Sequence, residues 1–269
     1  MPELPEVETV RRTLLPLCGD RIVEVVVREP RLRQPVAPQL PSQLTDRLVR
    51  EIRRRGKYLL FSLSDDQTLL AHLGMTGSLV IVDPDYQPEK HDHVILAMAS
   101  QRRLVFNDPR RFGLLKVGME QSFSELAHLG PDPLTSLPDA ESLRALFRGR
   151  KRSIKDTLMD QQRLVGIGNI YANEILFRAG IRPRRPATRI SRLEIERLRA
   201  AILEVLEEAV SLGGSSISDY RDGSGKPGYF QMQHRVYDRD GSPCRSCGTE
   251  IRRVVLGGRS TFYCVRCQR

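Results

Sequence analysis

Two short motifs near the C-terminus, Cys244-Arg-Ser-Cys247 and Cys264-Val-Arg-Cys267, are the stretch that says most about the fold. Each Cys-x2-Cys pair forms a tight turn that directs two thiolates at one point, and two such turns on a hairpin build a tetrahedral zinc site. The spacing therefore predicts one Zn²⁺ held by Cys244, Cys247, Cys264 and Cys267, with an iron–sulfur cluster or free thiols as the alternatives. Four protein ligands make this metal structural rather than catalytic.

Upstream, the N-terminal half is rich in short apolar runs that are separated by Gly, Pro and Asp. Runs rich in β-branched and aromatic residues lie at 22–27, 57–63, 69–73, 78–82, 93–99, 104–106 and 114–117. Such runs predict strands, and many short strands with few helices predict a sandwich or a barrel. Residues 3–17 differ, because their apolar residues repeat at helical spacing.

Beyond Pro131-Asp-Pro133 the pattern becomes helical, at 142–147, 154–159, 171–179 and 191–212. Gly213-Gly214 ends the last helix, and the Gly/Ser/Asp-rich stretch 214–228 predicts a mobile loop. The fold class is therefore α+β. We expect a β domain at 1–135, a linker at 136–150, a helical domain at 151–230 and a zinc hairpin at 231–269.

The chain is strongly basic, with a formal net charge of +10 over 269 residues. This excess favours a polyanionic partner, and nucleic acid is the usual one, although a basic protein without such a partner is the alternative. The sequence has no apolar run of membrane-spanning length and no signal-peptide pattern, so a soluble cytoplasmic protein is expected. Five cysteines, with Cys18 apart from the other four, argue against a disulfide framework.

The N-terminal sequence Met1-Pro2-Glu3-Leu-Pro-Glu contains a candidate nucleophile. Removal of Met1 would leave Pro2 with a secondary amine, and α-amino groups titrate near neutral pH. Such an amine can attack an electrophilic sugar carbon and hold it as an iminium, with Glu3 as the general acid. The alternative is a helix N-terminus that contains proline and acidic residues for purely structural reasons.

Several basic segments are candidates for contacts with phosphate. Gly168-Asn169 precedes a helix and offers backbone amides, while residues 150–152 and Lys155 form a basic run just before it. Arg259 follows Gly257-Gly258 between the two cysteine pairs, where it could bind a phosphate bidentately. A helix corner, a solvated charge run and a surface arginine are the corresponding structural alternatives.

Another group of residues combines basic and apolar side chains in turns. Lys57 enters an apolar strand, either as a functional ammonium or as an edge-strand guard. Residues 90–93 are read as phosphate-binding or structural rather than metal-binding. Met75, Arg110 and Phe112 lie in turn-like segments and are candidates to fill a gap in a duplex, although isolated Met and Phe residues are more often in the core.

These motifs together resemble one family, the formamidopyrimidine-DNA glycosylases. The resemblance covers nearly the whole chain, through residues 2–9, 56–59, 72–78, 90–93, 108–113, 165–171 and 225–230 and the cysteine pairs. It implies an N-terminal β-sandwich with flanking helices, a helix–two-turns–helix domain and a zinc-finger β-hairpin. It also implies a bifunctional enzyme that excises oxidised purines from double-stranded DNA, cleaves abasic sites by β,δ-elimination and needs no organic cofactor. A monomer is our expectation for the oligomeric state.

The same resemblance implies roles for individual residues. Pro2 corresponds to the Schiff-base nucleophile and Glu3 to the proton donor, while Lys57 assists β-elimination and Arg259 assists δ-elimination. Further matches are to DNA-contacting positions (His91, Arg110, Lys151 and Asn169) and to residues that fill the gap left by the flipped base (Met75, Arg110 and Phe112).

The resemblance is weakest in the loop that the family associates with the extruded base. Residues 215–221 depart from the usual Thr-Thr-Leu pattern, and Ser218, Tyr220 and Arg221 are the candidate lesion-loop residues. Leu4 favours the purine branch over the pyrimidine-preferring endonuclease VIII branch, which remains an alternative. A non-catalytic zinc-finger DNA-binding protein is a further alternative, but such a protein has no use for a free secondary amine beside Glu3.

Overall fold

The computed structural model describes residues 1–149, 152–215, 222–226 and 228–269. Within these ranges the chain forms two compact units. The first unit contains Met1–Ala127 and Leu212–Tyr229, and the second contains His128–Ser211 and Phe230–Arg269. Lys151 and the lesion-loop candidates Ser218, Tyr220 and Arg221 lie outside the described residues.

The first unit begins with helix α1 (Leu4–Leu14), which a single 3₁₀ turn extends to Leu17. Eight strands follow, with the short helix α2 (Leu40–Leu44) after the first: β1 (Ile22–Val27), β2 (Val49–Arg55), β3 (Tyr58–Leu63), β4 (Thr68–His72), β5 (Ser78–Val82), β6 (Asp92–Met98), β7 (Arg103–Asn107) and β8 (Leu114–Gly118). They form two antiparallel four-stranded sheets with the orders β1-β6-β7-β5 and β2-β3-β4-β8.

The core of this unit lies between the two sheets, so the expected β-sandwich is confirmed. The sequence of β3 is continuously apolar because both faces of this strand are buried and successive side chains point to opposite faces. Leu59, Phe61 and Leu63 join the central core together with apolar residues of β1, β6 and α1. Leu60 points the other way, into a smaller cluster with Leu70, Leu114 and Phe123.

Strand β2 and helix α2 are elements that the sequence patterns did not predict. In β2, whose sequence is VREIRRR, Val49 and Ile52 are the buried residues. They lie three positions apart because the pairing with β3 shifts between Val49 and Glu51, and this irregularity breaks the two-residue alternation that identifies strands. Helix α2 has five residues, with a proline in its first turn, where the missing N–H is tolerated.

Among its described residues, the second unit contains four α-helices and one hairpin, as the sequence predicts. The helices are α3 (Ala140–Phe147), α4 (Ile154–Leu158), α5 (Asn169–Ala179) and α6 (Arg192–Ser211), and the hairpin consists of β9 (Ile251–Leu256) and β10 (Arg259–Cys264). Side chains cap two of the helices, since Asp139 accepts the Ser142 N–H at 2.8 Å and Ser153 accepts that of Asp156 at 3.1 Å. None of the helices in the described ranges has the length and apolar character needed to span a membrane.

Candidate active site and nucleic-acid interface

The start of α1 is buried and carries the first two candidate catalytic residues. Pro2 is buried, and Glu3, with 4% of its surface exposed, occupies the N-cap position. Its backbone N–H donates to Glu6 Oε2 at 2.8 Å, so a side chain of the first helical turn holds the N-cap residue in place. The alternative interpretation of this segment, an ordinary helix start, is therefore correct for the local structure, while the catalytic roles of Pro2 and Glu3 stay predictions.

Lys57 lies in the same neighbourhood as the chain terminus. It follows Gly56, whose φ of +59° allows the tight turn from β2 into β3, and it is 8% exposed. Burial lowers the pKa of the Met1 amine; the charges of Lys57 and Arg110 lower it further, whereas Glu3 and the neighbouring carboxylate of the first helical turn raise it. The terminal amine, Glu3, Lys57 and Arg110 are therefore close enough to interact electrostatically.

Met75 and Phe112 lie at the tips of two turns of the first unit. Met75 is in the turn between β4 and β5 and is 40% exposed, while Phe112, between β7 and β8, is 43% exposed. The Arg110 guanidinium lies 4.8 Å from the centre of the Phe112 ring, in a cation–π contact. These exposures exclude the core as the location of either side chain.

The two turns are in direct backbone contact. A Cβ on Gly74 would lie 2.4 Å from the carbonyl carbon of Phe112, so only glycine fits at this position, and its φ of +64° gives a second reason. The fully buried Asp108 joins the turns as well, because its carboxylate accepts from Thr76 Oγ1 at 2.7 Å and from the Gly113 N–H at 2.8 Å. The structure thus brings Met75, Arg110 and Phe112 together.

His91 adjoins the same turns through its backbone, since its carbonyl accepts the Asp108 N–H at 3.0 Å. His93 is 1% exposed, and its Nε2 lies 2.7 Å from the Asp108 carbonyl oxygen. Asp92 accepts hydrogen bonds from Tyr86, Glu89 and Asn107. The segment 90–93 is therefore structural at Asp92 and His93, whereas His91 is partly exposed and its contact with DNA stays a prediction.

In the second unit, Asn169 and Arg259 occur at adjoining elements. Asn169 is the first residue of α5, and its Nδ2 donates to the Ser260 carbonyl at 3.1 Å, next to Arg259. The Asn169 Oδ1 atom is buried and has no hydrogen-bond partner within the described part of the chain. Arg259 is exposed, and together with Arg152 it lines an open cleft of about 700 Å³.

The expectation that Lys155 binds the DNA backbone is wrong. Its side chain is fully buried, and Nζ donates to the Ser260 carbonyl at 2.9 Å and to Thr261 Oγ1 at 2.7 Å. Gly257 at the hairpin tip also lies against α4, because a Cβ there would lie 2.7 Å from Asp156 Oδ1. Lys155 therefore fixes the zinc hairpin to α4 instead of contacting solvent.

The four cysteines fit one tetrahedral metal ion. Their sulfur atoms all lie within 4.8 Å of one another, with 3.9 Å between Cys244 and Cys267 and 3.5 Å between Cys247 and Cys264. Four zinc–sulfur bonds of about 2.3 Å place the sulfurs about 3.8 Å apart at tetrahedral angles. No other group of three or more potential His, Cys, Asp or Glu ligands occurs among the described residues. The site is therefore that of one structural zinc ion.

Glu174 is a buried anchor that sequence reasoning missed. It is 4% exposed, and its carboxylate accepts the N–H groups of Arg235, Val236 and Tyr237 at 2.9, 3.0 and 2.8 Å. Burial raises its pKa, and the three hydrogen bonds oppose this effect. A carboxylate within the apolar stretch of α5 was the available signal, since such residues are rarely buried without partners.

Family models match three successive parts of the chain. Residues 1–115 match the formamidopyrimidine-DNA glycosylase N-terminal domain, and residues 129–221 match the H2TH domain of the same proteins. Residues 241–269 match the zinc finger found in FPG and IleRS. The three matches follow the order of sandwich, helices and hairpin in the structure.

Curated relatives match over the full length. The formamidopyrimidine-DNA glycosylase of Methylococcus capsulatus is 51% identical over 272 residues, and that of Laribacter hongkongensis is 47% identical, with 100% of each chain covered in both cases.

Solved structures agree with this. The MutM (FPG) protein of Thermus thermophilus is 44% identical with a TM-score of 0.85, covering 99% of this chain and 98% of that one. The Lactococcus lactis Fpg in complex with DNA containing an abasic site is 35% identical with a TM-score of 0.91, and 99% of both chains is covered. The chain therefore belongs to the formamidopyrimidine-DNA glycosylase family and is a DNA-repair glycosylase with abasic-site lyase activity.

Proposed function

We propose that the protein removes oxidised purines, such as 8-oxoguanine and formamidopyrimidines, from double-stranded DNA through a Schiff base on Pro2. Once Met1 is removed, the Pro2 nitrogen carries a lone pair that can attack C1′ of the damaged nucleotide. The bond from Pro2 nitrogen to C1′ forms as the bond from C1′ to the base breaks, and the proton that the amine loses balances the proton that the departing base takes up. Glu3 then donates a proton to the ring oxygen of the sugar, the ring opens, and the sugar remains attached as an iminium.

The iminium makes the next step possible, because it acidifies the adjacent sugar carbon. Loss of that proton expels the phosphate on one side of the sugar, and a second elimination expels the phosphate on the other side. We assign assistance of the first elimination to Lys57, which lies near the chain terminus, and assistance of the second to Arg259 on the zinc hairpin.

DNA binding is assigned to basic and amide groups in both units. His91, Arg110, Lys151 and Asn169 are the proposed phosphate contacts, and Met75, Arg110 and Phe112 the residues that enter the duplex. A base inside a duplex is inaccessible, so the damaged nucleotide has to leave the stack before C1′ can react. Lactococcus lactis Fpg structures contain DNA with an abasic site or with Fapy-dG, and this supports the same partner for this chain.

One observation carries the proposal: Pro2 and Glu3 are buried at the start of α1, and the amine of the residue before Pro2 lies within electrostatic range of Glu3 and Lys57. Burial and nearby positive charge both favour the uncharged amine, which is the form that attacks carbon. A protein that only bound DNA would gain nothing from this arrangement.

Borohydride trapping on lesion-bearing duplex DNA tests the proposal. We expect a covalent adduct at Pro2, weaker trapping by Pro2→Gly, whose terminal primary amine can still form an imine, and loss of trapping when Met1 is retained. Glu3→Gln should slow base excision by about 10²–10⁴-fold, the usual contribution of general acid catalysis, with a smaller effect on preformed abasic sites. Full trapping by protein that retains Met1, or an adduct that maps to a residue other than Pro2, would place the nucleophile elsewhere.

The lesion class needs a separate comparison, because the candidate lesion-loop residues Ser218, Tyr220 and Arg221 depart from the family pattern. Single-turnover excision should be faster on duplexes that contain 8-oxoguanine than on duplexes that contain thymine glycol. The reverse order would assign the protein to oxidised pyrimidines while leaving the Schiff-base chemistry intact.

A further inference from the structure

A buried carboxylate on α1 binds three guanidinium groups. Glu8 is 8% exposed, and its oxygens lie 2.9 Å from Arg11 Nη2, 3.0 Å from Arg12 Nε and 3.0 Å from Arg54 Nε. Burial alone would raise the pKa of Glu8, but hydrogen bonds from the three arginines outweigh it and lower the pKa to about 2. Glu8 is therefore ionised throughout the physiological range.

Arg54 differs from the other two arginines because it comes from β2 rather than from α1. Its side chain is 3% exposed, and Nη1 also donates to the Gly56 carbonyl at 3.1 Å. Gly56 is the left-handed residue directly before Lys57. One planar guanidinium thus joins a carboxylate of the helix to the turn that carries Lys57.

This arrangement fixes the distance between two parts of the proposed active site. Glu8 lies five residues beyond Glu3 on a continuous helix, so the position of Glu8 relative to the terminus is rigid. Arg11 also reaches β2, where Nη1 donates to the Ile52 carbonyl at 3.3 Å, but that contact lies farther from the turn. Arg54 is the arginine of this cluster that contacts the turn itself.

We propose that Arg54 is a positioning residue for the lyase reaction, which sets Lys57 against the N-terminal amine by binding Glu8 and the Gly56 carbonyl at the same time. The inference rests on the proposed function, in which Lys57 assists β-elimination. A misplacement of about 1 Å can reduce a rate about 10²-fold, so a residue that touches no substrate can still control the reaction. Arg is required, because the ammonium of lysine lacks the planar fork that spans two acceptors.

A double-mutant cycle between Arg54 and Lys57 tests this directly. The measurement is single-turnover cleavage of a duplex with a preformed abasic site by wild type, Arg54→Met, Lys57→Met and the double variant. We expect Arg54→Met to slow cleavage by about 10–100-fold in the wild-type background and by less than about 3-fold when Lys57 is already absent. Equal slowing in both backgrounds would overturn the inference.

The matched control is Arg50→Met, because Arg50 lies on the same strand, is 52% exposed and pairs with Asp66. We expect it to cleave at the wild-type rate. If Arg54→Met does not fold, as judged by circular dichroism, Arg54→Lys replaces it in the cycle. It keeps the charge beside Glu8, and the same non-additivity with Lys57→Met is expected.

Failure of the inference is distinguishable from failure of the proposed function. Wild-type protein that neither cleaves abasic sites nor gives a Pro2 adduct refutes the proposed chemistry. Wild-type protein that does both, with additive effects of Arg54→Met and Lys57→Met, refutes only the positioning role.

Discussion

Thr76 Oγ1 donates to Asp108 Oδ1 at 2.7 Å, and this hydrogen bond ties the turn that carries Met75 to the turn that carries Phe112. The Arg110 N–H approaches the same hydroxyl at 3.3 Å. The turns that carry Met75 and Phe112 are therefore hydrogen-bonded to each other, so a displacement of one turn should also displace the other.

Removal of the wedge side chains should affect base extrusion more than chemistry. If Met75 and Phe112 offset part of the cost of unstacking, a few kcal/mol, Met75→Ala and Phe112→Ala slow excision of 8-oxoguanine more than cleavage of an abasic site. Parallel single-turnover assays on the two duplexes check this. Thermal stability should change little, whereas Phe→Ala in a packed core costs about 3–5 kcal/mol; such a loss, with both reactions falling equally, would contradict the wedge role.

Loss of the zinc site should unfold the hairpin and thereby displace Arg259. Cys247→Ser, or treatment with a strong chelator, removes one of four ligands or the ion itself, and structural zinc contributes folding free energy directly. We expect one zinc per chain in the wild-type protein by elemental analysis and loss of DNA binding in the variant. Cys18→Ser, at the exposed cysteine outside the cluster, is the control and should keep both properties. Iron in active protein, or no metal, would reject the assignment.

The charge of Lys57 should be visible in the pH dependence of trapping. Burial lowers the pKa of the terminal amine, and the charge of Lys57 lowers it further. A Pro2 amine in this place should therefore have a pKa below the ordinary α-amino range of about 7.7–8.0, and trapping should begin at correspondingly lower pH. Lys57→Met removes a positive charge, which makes the protonated amine less unfavourable, and should move the midpoint of borohydride trapping to higher pH. Lys57→Arg keeps the charge and serves as the control; a midpoint that falls in Lys57→Met would contradict the placement.

The ionised Glu8 should stabilise the fold at neutral pH and lose this effect in acid. Its pKa of about 2 in the folded protein lies below the ordinary value of about 4.3, so the stabilisation is complete above pH ~4.3 and disappears as the pH falls toward 2. Glu8→Gln should cost about 3 kcal/mol at pH 7, since it leaves the buried guanidinium of Arg54 without its anion. Chemical denaturation should show that the difference in unfolding free energy between wild type and Glu8→Gln is smaller at pH 3 than at pH 7.

The control for this measurement is Glu196→Gln. Glu196 pairs with Arg192 at 3.5 Å on the surface of α6, where ion pairs contribute little to stability. Equal losses of unfolding free energy in Glu8→Gln and Glu196→Gln would contradict the stabilising role of the ionised Glu8. A loss for Glu8→Gln that grows as the pH falls would contradict it as well.

The sequence predicted elements well wherever apolar periodicity was regular. Strands β1 and β5 have the predicted bounds, and α6 differs by one residue at each end. Strand β2 was not predicted, because its bulge breaks the alternation of apolar and polar residues and because the arginines that follow Ile52 resemble a surface charge run. Periodicity reports which residues are buried, and it fails where a backbone irregularity changes the spacing.

Side-chain partners were much harder to predict than elements. The turn that contains Asp108 was recognised from Asp-Pro-Arg-Arg, but its carboxylate bonds to Thr76, 32 residues away. The role of Arg54 depends in the same way on Glu8, 46 residues earlier in the chain. Such contacts are created by the packing of distant elements, so no local sequence pattern predicts them. The zinc site differs, because the Cys-x2-Cys spacing is enough to place two thiolates at one metal ion.

The buried Lys155 links the hairpin to helix α4. Its ammonium is surrounded by protein, and Ser260 and Thr261 of β10 supply two of its acceptors. Without β10 these two acceptors disappear, and so does the Phe262 N–H that Asn173 Oδ1 of α5 accepts at 2.8 Å. A chain that ends before residue 241 would therefore not leave an intact helical unit with a missing finger. The zinc finger is a separate segment of the sequence, yet its second strand completes the packing of α4 and α5.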